Sequence, residues 1–284
     1  MRTSSILLAF VSVFALVGCV SGSESTPVVT GTPTASPTPD AKELVSTALD
    51  ETAATSYRFE MEMLMEGIPQ APPITMLMDG AVDEVARLMS LRTDATEIMG
   101  DLGRYDMLLS DELVYLRGGP FGTLADTEWV SADAAVLSQY GGDPFASQNP
   151  AQQLELMSRA GDLAEAGRDV VRGVPATRWN GTVDLANGTP EERQRVESAI
   201  ADLGATLDDV STYDTSVWID DDGYIRRLTI RYSIAAPGFG PGISIDYTLT
   251  YEMFEFGAPI TFTLPADEDV TDVTFQIALA LGQG

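Results

Sequence analysis

This chain of 284 residues contains 43 acidic side chains, 16 basic ones, a single cysteine and no histidine. Nucleophilic catalysis by Ser-His-Asp or Cys-His groups needs an imidazole to take the proton, and histidine-ligated zinc or iron sites need it as a ligand. Both classes are excluded. Any reaction must then rest on carboxylates, tyrosine, arginine or Lys42, the only lysine. Paired carboxylates can hydrolyse glycosides when their spacing and pKa values suit the sugar. A chain this acidic brings carboxylates together by chance, so no catalytic residue is assigned. Asp220-Asp221-Asp222-Gly223 has neither the spacing of a calcium loop nor its closing bidentate glutamate, and reads as a solvated hairpin turn. Asp267-Glu268-Asp269, with Asp272 beyond, reads as a polar cap on a C-terminal segment. Gly118-Gly119-Pro120-Phe121-Gly122 lacks the lysine and the helix pattern of a phosphate loop. Asn180-Gly181-Thr182 and Asn187-Gly188-Thr189 match a glycosylation sequon but read as turn and cap residues. No metal and no cofactor is expected. The formal charge of −27 repels nucleic acid and anionic lipid heads, so nucleic acid is excluded as a partner.

Cys19 is the one thiol. Before it, Arg2 opens an apolar run from Ile6 to Val17 that only Ser12 interrupts. As a helix the run would cover roughly 18 Å, too short for the ~30 Å hydrocarbon core of a bilayer. It reads as the apolar region of a signal peptide over residues 1–18. Leu16-Val17-Gly18-Cys19 resembles the lipobox of bacterial lipoproteins: small side chains fit a protease cleft, and the thiol takes a diacylglyceryl group as a thioether. Cys19 is therefore the expected lipid-attachment site. One cysteine also rules out an intrachain disulfide. From Ser21 to Pro39 the chain is Ser, Thr, Pro and Gly without apolar periodicity, so residues 19–39 read as the lipidated cysteine and a flexible tether. As random coil the tether would average about 25 Å. Residues 40–284 form the expected single folded domain.

In that domain a helix is expected over Ala41–Ala54, capped by Asp40, with Leu44, Val45, Ala48 and Leu49 on one face. Strict alternation follows. Tyr57, Phe59, Met61, Met63 and Met65 share one face; Arg58, Glu60, Glu62 and Glu66 share the other. Period two of this kind marks a half-buried strand. It recurs around Ile74, Met76 and Met78; Val85, Met89 and Leu91; Tyr105, Met107 and Leu109; and Glu112–Arg117. Helices are expected from Asn149-Pro150 to Arg159 and from Thr189-Pro190 to Leu203. Strands are expected near Asp162–Arg172 and Ala176–Leu185, then Tyr213–Ile219, Tyr224–Ile234, Ile243–Met253 and Ile260–Leu264. Alternation in roughly nine to eleven strands implies antiparallel pairing with one dry face. The expected class is α+β: a curved antiparallel half-barrel with a few helices on its concave face.

Several motifs resemble the LppX/LprG group of actinobacterial lipoproteins. They are Gly173-Val174-Pro175-Ala176-Thr177-Arg178-Trp179 with Thr182-Val183-Asp184-Leu185; Val217-Trp218-Ile219-Asp220 with Gly223-Tyr224-Ile225-Arg226-Arg227-Leu228; and Phe254-Glu255-Phe256-Gly257-Ala258-Pro259-Ile260 with Leu264-Pro265. The opening helix followed by Ser56-Tyr57-Arg58-Phe59 fits as well. The resemblance implies a LolA-like half-barrel whose apolar cavity carries acylated lipids or lipoglycans through the cell envelope. The acidic excess and the methionine-rich first strands depart from that pattern.

The expected cavity wall is Phe59, Met61, Met63, Met76, Met78, Met89, Leu91, Met107, Leu109, Val217, Ile219, Leu228 and Ile230. Methionine is flexible and polarizable, so it repacks around acyl chains of differing shape. The expected partners are a membrane, through the lipid anchor; an amphiphilic lipid ligand; and an envelope transporter or acceptor protein. The rival expectation is a sensor or interaction module with a packed core. Replacing Cys19 with alanine should release the protein from the membrane fraction into the soluble one, as read by detergent phase partitioning.

Overall fold

The computed structural model describes residues 41–141, 145, 163–184, 212–237, 240 and 242–281. Asp40, the expected helices near 149–159 and 189–203, and the N-terminal segment with Cys19 lie outside them. The first helix, α1, spans Ala41–Ala53 and buries Val45, Ala48, Leu49 and Thr52. Twelve strands follow in a single sheet. The first six are β1 (Tyr57–Glu66), β2 (Ile74–Asp83), β3 (Leu88–Asp94), β4 (Arg104–Leu109), β5 (Leu113–Gly118) and β6 (Trp129–Asp133). The next five are β7 (Ala164–Val171), β8 (Val174–Asp184), β9 (Thr212–Asp220), β10 (Ile225–Ala235) and β11 (Ser244–Phe254). The last is β12 (Val270–Asp272). A one-turn helix, α2 (Thr96–Met99), lies between β3 and β4. Helix α3 (Ala134–Gly141) follows β6, and α4 (Thr274–Leu281) follows β12. No helix among the described residues is long and apolar enough to cross a membrane.

The spatial order is β12-β6-β5-β4-β3-β2-β1-β11-β10-β9-β8-β7. Two meanders thus run in opposite directions and meet where β1 pairs with β11. That seam holds nine antiparallel pairs, from Arg58↔Phe254 to Glu66↔Asp246. The sheet does not close, so it is an open, curved antiparallel half-barrel of the expected class. Alternation explains its two faces: β1 reads buried at Tyr57, Phe59, Met61, Met63 and Met65, and open or half-open between them. The buried side chains join one apolar cluster with Val45, Ala48 and Leu49 of α1 and Ala134 of α3, and Ile277 of α4 packs against it. The described helices therefore sit on the dry face. Gly80 is opposite Phe59 across β1–β2, and a methyl there would lie 2.8 Å from that ring and 2.2 Å from the Ser90 carbonyl.

The structure departs from the sequence reading in four places. Val85 lies in the β2–β3 turn and is 85% exposed, not in a strand. Ile260–Leu264 alternates but joins no strand. The chain here must travel from β11 to β12, seven strands away, about 34 Å at ~4.8 Å per strand. An extended crossing path keeps the alternation without the pairing. Strand β6 was unexpected because Trp129, Val130, Ser131 and Ala132 are all buried, so it shows no period of two. Strand β12 has three residues and pairs parallel to β6.

The outer face is held by charge. Glu60 and Glu252 are directly opposite across the seam. Arg172, in the β7–β8 turn, bonds both: it donates to Glu252 from Nε at 2.8 Å and to Glu60 from a terminal nitrogen. Its guanidinium also lies 4.0 Å from the centre of the Phe254 ring. The turn of the edge hairpin therefore rolls back over the outer face as far as β1. Val171, Ala176 and Trp218 pack together beneath it. Burial alone would raise the pKa of Glu252, but hydrogen bonds from Arg227 and Arg172 hold it below the usual 4.5. Arg172→Met should destabilise the domain by about 1–2 kcal/mol, since it leaves two like charges facing each other and removes the ring contact. Adding Glu60→Gln should restore part of that loss. Urea denaturation of the two single variants and the double variant measures the coupling, and simple additivity would refute the clamp.

Candidate functional site

All thirteen residues of the expected wall lie on the dry face and belong to or pack against one apolar cluster. Cross-strand register joins them into rows. Met78 faces Met61, which faces Tyr251; the row continues through Leu228 and Val217 to Trp179. Met76 faces Met63, which faces Leu249 and then Ile230. On the other flank Leu91 faces Met107, and Met89 faces Leu109. The methionines are packed: Met61, Met63, Met65, Met76, Met78 and Met89 keep 5% or less of their surface. Met107 is half-buried.

Open space lies elsewhere on the same face. A cleft of about 510 Å³ separates α1 from β8, β9 and the β9–β10 turn. One wall is Glu43, Leu44, Thr47 and Ala48 of α1. The facing wall is Thr177 and Trp179 of β8, Ile219 and Asp220 of β9, and Asp221 and Gly223 of the turn. This volume falls in the range of small-molecule sites. Of the thirteen expected lining residues, Ile219 borders it.

The cleft is held at one end by two polar contacts. The Thr52 hydroxyl of α1 accepts the buried Ile225 N–H at 3.1 Å, which fixes the helix to the start of β10. Asp220 shapes the turn: one carboxylate oxygen accepts the N–H groups of Asp222 and Tyr224 at 3.0 and 2.9 Å. Its other oxygen accepts Arg226 Nε at 2.5 Å, and the Asp220 side chain is 1% exposed. The aspartate run is thus a hairpin turn, as expected, but its first carboxylate is buried and paired rather than solvated. Arg226 in turn covers the Phe256 ring, which stacks on Tyr224 at 4.6 Å. Asp221 pairs with Arg168 at 2.8 Å. No group of three or more potential metal ligands occurs among the described residues. The Trp179 indole nitrogen is buried without a partner among them. The lining mixes apolar side chains with the hydroxyls of Thr47 and Thr177 and the carboxylates of Glu43 and Asp221, while Asp220 is paired to Arg226.

Sequence reasoning missed a group of tyrosines. Tyr213, Tyr232, Tyr247 and Tyr251 occupy dry positions of β9, β10 and β11. Tyr251 is 3% exposed and Tyr247 7%, while Tyr232 is half-buried. Tyr232 and Tyr247 stack with centroids 4.9 Å apart and planes 9° apart. Burial raises the pKa of Tyr251, Tyr247 and Tyr232, and for Tyr232 the neighbouring Tyr247, Tyr251 and Tyr213 raise it further. The signal was present: each tyrosine falls on the dry phase of its strand, where a purely packed face would take leucine or phenylalanine.

No family model matches the chain. A protein of Streptomyces griseus, described as an uncharacterized 31.2 kDa protein in the rplA-rplJ intergenic region, is 26% identical over 153 residues. The match covers 51% of this chain and 48% of that protein, so the chain spans about half the length of the curated relative it matches. Among solved structures, the lipoprotein LppX of Mycobacterium tuberculosis has a TM-score of 0.47 at 16% identity, covering 78% of this chain and 98% of its own. LprF from Mycobacterium bovis has a TM-score of 0.46 at 14% identity, covering 81% and 99%. LppX gives its name to the group that the sequence motifs resemble. Likeness at this level assigns no ligand.

The raised phenol pKa values set a pH dependence. A phenol ordinarily titrates near 10.0. Above that pH the folded state keeps protons that the unfolded chain releases, so stability falls as pH rises. The urea midpoint should therefore decline above about pH 10. Tyrosinate absorbance of the nine tyrosines should appear in two phases, the second coinciding with unfolding. A single ordinary phase in the folded protein would show that these phenols are not buried.

Proposed function

We propose that this chain is a lipid-anchored lipoprotein of the cell envelope that holds an acylated lipid or lipoglycan inside its half-barrel. It carries or transfers that lipid and catalyses no reaction. The observation that carries this reading is the cleft between α1 and strands β8–β9, whose lining residues Leu44, Ala48, Trp179 and Ile219 also belong to or pack against the apolar cluster. In this reading residues 1–18 direct export, Cys19 takes the lipid, and residues 19–39 hold the folded domain a short distance above the outer face of the membrane. The cleft is the entrance. The methionine rows yield as acyl chains enter, since their unbranched side chains repack at low cost. Burial of one sixteen-carbon chain is worth roughly 10 kcal/mol at ~0.8 per methylene, before ordering losses. Delivery calls for an acceptor or transporter protein in the envelope.

The close packing of Met61, Met63, Met76 and Met78 favours a second reading, a sensor or interaction module with a solid interior. Uptake separates the two. Native mass spectrometry of gently purified protein should show a bound lipid, and a fluorescent fatty-acid probe should enter the interior. Thr47, exposed on α1, lines the cleft. Thr47→Trp should cut probe uptake at least fivefold, about 1 kcal/mol, with an unchanged melting temperature. Absence of bound lipid and of uptake would favour the solid interior. Full uptake by Thr47→Trp would move the entrance away from the cleft.

A further inference from the structure

The cleft beside α1 grades from polar to apolar. Glu43, Thr47 and Asp221 are exposed, whereas Leu44, Ala48, Trp179 and Ile219 belong to or pack against the apolar cluster. An amphiphile seated there would put its chains inward and its head among the polar groups. Those groups accept hydrogen bonds and have few protons to give. A carboxylate offers only lone pairs. The Thr47 hydroxyl donates its one proton to the Glu43 carbonyl at 2.8 Å. The Trp179 indole nitrogen is buried. Thr177 is the lining side chain left with a proton free among the described residues.

The features that draw anions are already taken by this chain's own acids. Successive backbone N–H groups in a turn make a concavity for an anion. In the β9–β10 turn the Asp220 carboxylate accepts the N–H groups of Asp222 and Tyr224, and its carbonyl accepts that of Gly223 at 3.1 Å. The two arginines nearest the turn are held by carboxylates, Arg226 by Asp220 and Arg168 by Asp221. Glu43 lies in the first turn of α1, where it complements the positive end of the helix. No basic side chain lines the cleft among the described residues. A phosphate brought into it would meet carboxylates and find neither a free cation nor a turn amide.

We infer that the cleft selects the head of the ligand by charge and by donors: it takes a head rich in hydrogen-bond donors and free of negative charge, and turns away phosphate and carboxylate. Sugar hydroxyls and an ammonium group share that chemistry. The inference rests on the reading that this chain binds an acylated lipid, and adds what its head must be.

The test uses the full-length lipoprotein in a mild non-ionic detergent and three fluorescent probes with identical acyl chains. Their heads are a glucosyl group, a primary ammonium and a phosphate. The native protein should bind both of the first two at least tenfold more tightly than the third, and the tighter of them tells sugar hydroxyls from an ammonium as the source. E43Q/D221N should narrow the gap to less than threefold, chiefly by gaining affinity for the phosphate probe. E43Q alone should narrow it in part, which keeps the test open if the double variant melts at a lower temperature. E62Q/E112Q removes two exposed acids away from the cleft and should leave the gap unchanged. Equal binding of the phosphate and glucosyl probes by the native protein overturns the inference. So does an equal effect of E62Q/E112Q, which would trace the preference to the charge of the whole molecule. If the native protein binds none of the three probes, the lipid-binding reading itself falls.

Discussion

The pairing of β1 with β11 is the constraint on which the rest of the molecule depends. It joins the two meanders through backbone pairing between distant parts of the chain: the Arg58–Glu255 ion pair beside it spans 197 positions. Its inner side sets Phe59 on Met253, Met61 on Tyr251, Met63 on Leu249 and Met65 on Tyr247. These four pairs are the centre of the apolar face. Its outer side sets glutamate on glutamate, a pairing that repels. Arg172 resolves the conflict from outside the seam, and Arg227 adds a second cation at Glu252. Local alternation therefore makes the strands, backbone pairing joins the two halves, and a long-range cation relieves the repulsion on the outer side of the seam.

Much of this was legible from residues alone, because a sheet with one dry face writes its pattern into the chain. The alternation of Tyr57 through Met65 led directly to β1 and to which of its side chains point inward. Where both faces are covered the pattern vanishes, which is why Trp129–Asp133 gave no warning of β6. Where the chain alternates but must cross the sheet, as at Ile260–Leu264, the pattern misleads. The cleft was not legible. Leu44, Val45, Ala48 and Leu49 say which side of α1 is apolar, but not that the helix leaves a gap beside Trp179 and Ile219. That gap depends on where Thr52 and the Asp220 turn hold the helix. The tyrosines were visible as residues and invisible as a group, since their convergence needs the β9-β10-β11 register.

The interior divides its work by residue type. Methionines on β1, β2 and β3 supply unbranched, flexible side chains, whereas tyrosines on β10 and β11 supply stiff rings, two of them stacked. Asp220 is the one charged side chain among the buried described residues. Carboxylates are numerous, yet in the cleft Asp220 is committed to Arg226 and to the turn backbone. An acid so occupied holds its loop in shape.

The edge of the sheet at β7 carries a different consequence. An unpaired strand edge is a template on which a second chain can add itself, and the hazard grows when copies are confined to a surface, as the proposed anchor would confine them. Strand β7 is poorly suited to that use. Its pairing with β8 slips between Glu165 and Arg168, where Gly167 has φ +103°. Arg168 is tied to Asp221, and the far end of the hairpin is turned away over Trp218. A bulge, a tethered cation and a folded-back tip leave no long straight row of open backbone groups. Copies that the proposed anchor would crowd together could then collide edge to edge without growing into a shared sheet.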